Sequence, residues 1–356
     1  MEKNANSLTK ELELKKNNYP SDILFKSIPN NIKFLNDIAK DSFSTDISQG
    51  NSFLVFKSFN DIFYLIYISE KYSIISLNLL TYKIINEIKY PHYNVIISLR
   101  YFQDIIKKRD LIISISYGDR SLKLWNINNW ECLCSINNIY KEGLLFPCFL
   151  NNDSENFIIT SNNNYNNECE FFKVFDLLGN LKKEINYTNI NTCYIDSYYD
   201  DKLKKAFIIT GNNGFSMSYE FYQNKLYNKY IDRGSSLHLS LIVNNNEEIT
   251  KLIDSSEDGI IRLWNFHSGE LLNKIKVSTY GITDICLWNT EYLFVAQDKN
   301  IKLLKINIGN IDKIKELVGH NKIVAAIKKF SHPLYGECLI SQGELNDGIK
   351  LWIISE

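Results

Sequence analysis

The chain has 356 residues, enough to bury a large core, with 40 Lys and Arg against 41 Asp and Glu. A net charge of −1 gives no electrostatic case for nucleic acid or an anionic membrane surface as the main partner. The seven cysteines (Cys132, Cys134, Cys148, Cys169, Cys193, Cys286 and Cys338) form no CxxC pair, which argues against a zinc site and a disulfide framework and fits a reducing compartment.

The N-terminal "MEKNANSLTKELELKKNN" is polar and has no apolar signal core, and no later run reaches the length of a membrane span. Residues 1–20 are therefore expected to be a mobile tail, without membrane insertion. The first apolar run, "SDILFKSI" at 21–28, lies between Pro20 and Pro29. Residues 30–51 carry no clear assignment. From Ser52 onward, short runs of Ile, Leu, Val, Phe and Tyr follow one another every ten or so residues. Asn-rich turns such as "SNNNYNN" at 161–167 separate them, as expected of strands joined by tight loops.

These runs group into units. In chain order, "SIISLNLLTYKII" carries Leu77, "SYGDRSLKLWNINNWECLCSI" Trp125, "KVFDLLGNLKKEI" Phe175 and "SYEFYQNKLYNKY" Tyr219. "SSEDGIIRLWNFHSGELLNKIK" then carries Trp264, "DKNIKLLKINIGN" Leu304 and "GELNDGIKLWIIS" Trp352. The steps between these positions are 48, 50, 44, 45, 40 and 48 residues, so one supersecondary unit recurs seven times. Each unit reads as four strands, placed in the fifth at 237–243, 249–255, 260–266 and 271–276. One such sheet cannot bury its apolar faces alone, so the units must stack radially.

The expectation is an all-β, seven-bladed β-propeller of four-stranded antiparallel blades over residues 21–356. The seventh unit has only three strands before Glu356, and an open sheet edge invites aggregation. Residues 21–28 are the expected closing strand.

On the recurring "LKLWN", "IRLWN" and "IKLWI" strands and the repeat length, the chain resembles the WD40-repeat family from Ser52 to its end. The resemblance implies closure by an N-terminal strand. It also implies a structural hydrogen-bond relay from a His before the first strand, through an Asp in the b–c turn and a strand-b Ser or Thr, to the strand-c Trp. Its members here would be His92, Ser116 (or Ser114), Asp119 and Trp125 in the second unit. The seventh would use His320, Ser341, Asn346 or Asp347, and Trp352; the fifth would retain Asp258 and Trp264. Asn126 and Asn265 stand where the family has Asp after Trp, and units one, three, four and six lack the Trp. Those blades are expected to rely on apolar packing.

No Gly-rich phosphate loop, G-x-S-x-G elbow or paired-His metal motif is present, so no cofactor, metal or catalytic residue is assigned. His267 reads as a solvated turn residue, "IKKRD" at 106–110 as a solvated loop, and Asp119, Asp258 and Asp298 as turn residues bonding local backbone. The resemblance implies that the face made by the d–a and b–c loops takes proteins or peptides, and Tyr93, Arg120, Tyr140, Tyr280 and Lys322 fall there. The expected function is a non-catalytic scaffold or adaptor, a monomeric propeller within a larger complex, in the cytoplasm or alternatively the nucleus. The competing reading is a propeller enzyme with its site at the channel mouth. Converging titratable residues with shifted pKa would favour it.

Overall fold

The computed structural model describes residues 32–40, 42, 52–141, 144–151, 155–163, 170–187, 192–212, 214–232, 237–243, 249–307, 310–344 and 347–354. Within them, 28 strands form seven four-stranded antiparallel sheets. Blades 1 to 6 span 53–88, 96–136, 144–187, 192–231, 237–276 and 282–318, each in simple a–b–c–d order. The first strand of each blade contacts that of the next, and strand a of blade 7 (Val324–His332) meets strand a of blade 1 (Phe53–Lys57), closing the ring.

Burial explains the strand sequences. Strand b of blade 1 (Phe63–Ile68, "FYLIYI") is almost continuously apolar because both sheet faces are covered by neighbouring blades. Outer strand d (Lys83–Ile88, "KIINEI") lies on the rim and is mostly exposed. The core is thus a series of inter-blade layers. Phe172 and Val174 of blade 3, for example, cluster with Ile208, Met217 and Tyr219 of blade 4.

All seven repeat positions fall at one structural point. Leu77, Trp125, Phe175, Tyr219, Trp264 and Leu304 each lie on strand c beside a bulge in strand d, where the outer strand carries one extra residue. The extra residues are Ile85, Leu133, Lys182, Tyr227, Leu272 and Ile314. Blade 7 repeats the device: Trp352 pairs with Phe34 and the bulge falls at Leu35. A bulge increases local twist and lets the large strand-c side chain settle into the layer between blades.

Blade 7 is completed by an N-terminal strand, but that strand is Ile32–Ala39, antiparallel to Ile349–Ile354. This corrects the expectation for residues 21–28. Those residues, like the expected tail 1–20, lie outside the described ones, and the edge assigned to them is occupied. "IKFLNDIA" hides its strand character behind Asn36-Asp37, yet Asp37 faces Lys350 on strand c, with Nζ 2.7 Å from Oδ1. Register shifts at 34–36 and 37–39 break the apolar alternation that marks a strand in sequence.

Candidate functional site

Two faces and a channel are available. Because strands alternate in direction, the d–a and b–c loops share one face and the a–b and c–d loops the other.

On the first face the loops are held by buried polar links. In blade 2, His92 Nε2 is 2.8 Å from Ser114 Oγ, and the same hydroxyl accepts the Trp125 indole hydrogen at 2.9 Å. His92 Nδ1 faces Ser121 Oγ at 2.9 Å and Asp119 Oδ2 at 3.3 Å. The link between His92 and Trp125 is thus Ser114, not Ser116; Ser116 instead donates to Asp119 Oδ1. Strand alternation separates the two, since Ser114 pairs across to Lys123 whereas Ser116 closes the b–c turn against Ser121. Burial lowers the His92 pKa to about 4, against the opposing pull of Asp119, so the ring is neutral. Asp119 also accepts the backbone N–H of Tyr93 at 3.1 Å, tying the d–a loop to the b–c turn.

Blade 7 repeats this arrangement. Asp347 Oδ2 is 2.7 Å from His320 Nδ1, His320 Nε2 is 2.7 Å from Ser341 Oγ, and Trp352 donates to that hydroxyl at 2.7 Å. Asp347 makes the contact; Asn346 lies outside the described residues. Gly343 is required here, because a Cβ would collide with Asp347 and lie 2.8 Å from His320 Nδ1.

Blade 5 uses different chemistry at the same place. Asp254 pairs across to Arg262 as Ser114 pairs to Lys123 and Ser341 to Lys350, so Asp254 holds the serine position. Trp264 donates to Asp254 Oδ2 at 2.7 Å. The buried Arg262 bonds Asp232 at 2.9 Å, Ser256 at 2.8 Å and Asp258 at 3.2 Å. Complete burial raises the Asp254 pKa to about 7, although Arg262 and the Trp264 hydrogen bond favour its carboxylate. The sequence signal is "IDSSEDGIIRLW", an Asp ten residues and an Arg two residues before the Trp.

Blades 3 and 6 improvise further. Tyr140 occupies the d–a loop before blade 3 and turns inward, its hydroxyl donating to Thr160 O and reaching Phe171 O, each at 2.8 Å. This removes Tyr140 from the exposed face on which its loop position had placed it. Lys173, two residues before Phe175, donates to Ile139 O at 2.8 Å, and Lys302, two before Leu304, donates to Val277 O. In both blades a strand-c lysine fastens the preceding d–a loop.

The other four expected face residues, Tyr93, Arg120, Tyr280 and Lys322, are exposed. Tyr93 is fully exposed at 101%, joined by Tyr90 at 83%, Tyr280 at 63% and Tyr117 at 51%. Tyr90 shares the d–a loop of His92 and Tyr93, and Tyr117 follows Ser116 in the b–c turn. His267 is not a solvated turn residue: its Nε2 is 3.3 Å from Asp200 Oδ2 and its Nδ1 3.1 Å from Tyr227 Oη, bridging blades 5 and 4.

The inner strands carry a polar cluster. Arg100, on strand a of blade 2 (Ile96–Asp104), reaches strand a of blade 4 (Thr192–Asp200), donating to Ile195 O at 3.1 Å and lying 5.5 Å above the Tyr194 ring. Tyr194 donates to Asp196 Oδ2 at 2.8 Å. The nearby nucleophile candidates are silenced: burial and then Asp196 hold Cys148 well above the usual thiol range, and Tyr194 is raised likewise. Burial pushes Cys286 up to about 12. Among the described residues no group of three His, Cys, Asp or Glu side chains is arranged to hold a metal, and no helix is long and apolar enough to cross a membrane.

No protein-family model matches the sequence, and no curated protein matches it either. Similarity is found in shape. A chain of the "Crystal Structure of Mitotic Checkpoint Complex" superposes with a TM-score of 0.66 at 12% identity, over 95% of this chain and 95% of that one. In all, 1436 chains of solved structures match, so the shared architecture identifies the fold and does not by itself select a function.

Proposed function

We propose that this chain is a divergent WD40-type propeller acting as a non-catalytic scaffold, binding partner proteins or peptides through its d–a and b–c loop face. The carrying observation is the set of exposed tyrosines on loops of that face, Tyr90, Tyr93, Tyr117 and Tyr280, with Arg120 and Lys322 also exposed on its loops. Tyrosine offers large contact area with few rotatable bonds and is favoured among residues that dominate interface energy. The loops bearing it are fixed in advance: Asp119 holds the Tyr93 backbone, and Ser278 Oγ accepts the Tyr280 N–H at 2.9 Å. A preformed surface loses less conformational entropy on binding.

The resemblance of the whole ring to a chain from a multiprotein assembly supports partners of the protein class. The enzyme reading needs an activated nucleophile in the channel, and Cys148, Cys286 and Tyr194 are all held protonated, although the meeting of Arg100, Tyr194 and Asp196 there is an observation in its favour. The test is quantitative capture of partners from native cells by the wild type and by Tyr93→Asp/Tyr280→Asp. Partners retained in full by the double variant would refute the assignment of the face.

A further inference from the structure

On the face opposite the tyrosines, turns of blades 2, 3 and 4 carry apolar side chains at their tips. Strand a of blade 2 ends at Asp104 and strand b starts at Arg109; in blade 4 these places fall to Asp200 and Lys205. Each pair lies opposite in its ladder, so 105–108 and 201–204 are equivalent four-residue a–b turns at corresponding heights. Asp104 Oδ1 accepts the Lys107 N–H at 3.2 Å, and Asp200 Oδ1 accepts those of Lys202 and Leu203 at 2.9 Å. Both turns are thus fixed at the base. They border one cavity, lined in part by Ile105, Ile106 and Asp201, and so are neighbours on the face.

Ile105 and Ile106 are 65% and 63% exposed, and Leu203 46%. Two c–d turns add Leu178 at 72% and Tyr222 at 49%, each three residues after its blade's strand-c repeat position. In blades 2, 5 and 6 that position is polar, as Asn128, His267 and Asn307, so the fold does not require an apolar residue there. Lysines flank the tips. Among the described residues of the a–b turns of blades 2, 3 and 4, Lys107, Lys108, Lys202 and Lys204 are exposed against two exposed carboxylates, Glu155 and Asp201. Asp201 pairs with Lys204 at 3.7 Å.

From these observations we infer that this sector rests peripherally on an anionic membrane surface. The isoleucine and leucine tips would enter the boundary between headgroups and acyl chains, and the lysines would meet the lipid anions. Apolar side chains on separate tips of one face suit a planar, deformable surface, whereas the anchors of a protein partner are held in packed pockets. Lysine stems can lie along the apolar layer with their ammonium groups at headgroup level, where tyrosine is also favoured. The whole-chain charge of −1 does not cancel this local excess, because salt screens charges beyond about 10 Å. The sector stands apart from the partner face proposed above, which lies at the other ends of the strands.

The test is cosedimentation of the full chain with vesicles of phosphatidylcholine alone or mixed with phosphatidylserine, at low and high salt. Binding should be about fivefold or more stronger to the mixed vesicles and should fall with salt. Ile105→Asp/Ile106→Asp should weaken it about tenfold, and Lys107→Asn/Lys108→Asn about fivefold. Asparagine tolerates the positive φ of 48° at Lys108, so the lysine variant decides if the isoleucine variant fails to fold in a thermal melt. Membrane contact is refuted if wild type binds neither vesicle or both equally, or if either folded variant binds the mixed vesicles as wild type does. It is refuted too if the isoleucine variant loses protein partners in a membrane-free extract, which would assign the turns to a protein.

Discussion

Phe34 meets Trp352 edge to face, ring centroids 5.7 Å apart and planes at 70°, across the seam where the two ends of the chain share blade 7. Lys350 lies 5.5 Å from the centre of the same Phe34 ring and pairs with Asp37. Closure therefore rests on one noncovalent strand whose contacts fall on Trp352 and its strand-c neighbours.

Deleting residues 1–30 leaves that strand intact, whereas deleting 1–40 removes it and bares the edge of Ile349–Ile354. The shorter truncation should melt like the full chain. The longer should melt at lower temperature and aggregate. Thermal melts of the two proteins provide the check, and equal melting would dissociate Ile32–Ala39 from closure.

Much of the ring was legible in sequence because seven buried layers impose seven copies of one pattern. Trp264, Trp352 and Trp125 announce theirs, and the apolar stand-ins Leu77, Phe175, Tyr219 and Leu304 occupy the same bulge point. The closing strand is hard to place from sequence because its register shifts and Asn36-Asp37 break the alternation, while residues 21–28 offer an apolar run between Pro20 and Pro29. Tyr140 was assigned to the surface because loop position says nothing of side-chain direction. The spacing of Asp254 and Arg262 before Trp264 singles the two residues out, but their partners depend on pairing across strands.

Trp264 is buried and bonded to Asp254, so Trp264→Ala should destabilise by ~3–5 kcal/mol. Asp258→Ala removes acceptors for Ser256, the Ile260 N–H and Arg262 at a partly exposed turn, and should cost ~1–2 kcal/mol. Urea midpoints of the two variants should fall in that order.

Gly259, at φ +76°, accepts the Val277 N–H at 2.9 Å, and a Cβ there would collide with the Ser278 carbonyl. Gly259→Ala should cost roughly 1–3 kcal/mol from backbone conformation alone, and more if the d–a loop must move. Equilibrium unfolding measures this, and a loss below that of Asp258→Ala would contradict the packing of the two loops.

Acid should act on blades 2 and 5 in opposite directions. The folded His92 pKa, about 4, lies below the ordinary 6.5, so the unfolded chain binds more protons between them. The stability His92 provides is lost as pH falls from 6.5 through 4, and the advantage of wild type over His92→Gln should shrink across that window. Asp254 is raised to about 7 from 3.8, so its folded state holds the extra proton and its contribution is lost as pH rises through 7. Asp254→Asn should therefore gain on wild type as pH rises from 4 to 7. Midpoints in urea at several pH values separate the two slopes.

Whether the tyrosine-bearing loop face holds partner proteins is decided by quantitative mass spectrometry of partners captured from native cells. Three forms of the chain are compared: wild type, Tyr93→Asp/Tyr280→Asp on the d–a loops, and Ile105→Asp/Ile106→Asp on the exposed a–b turn of the other face. Both substitution sets alter exposed side chains and should leave the melting temperature within a few degrees of wild type. The tyrosine variant should lose the specific partners and the isoleucine variant should keep them. Retention by the tyrosine variant would contradict the assignment, and loss by the isoleucine variant would place protein binding on the opposite face.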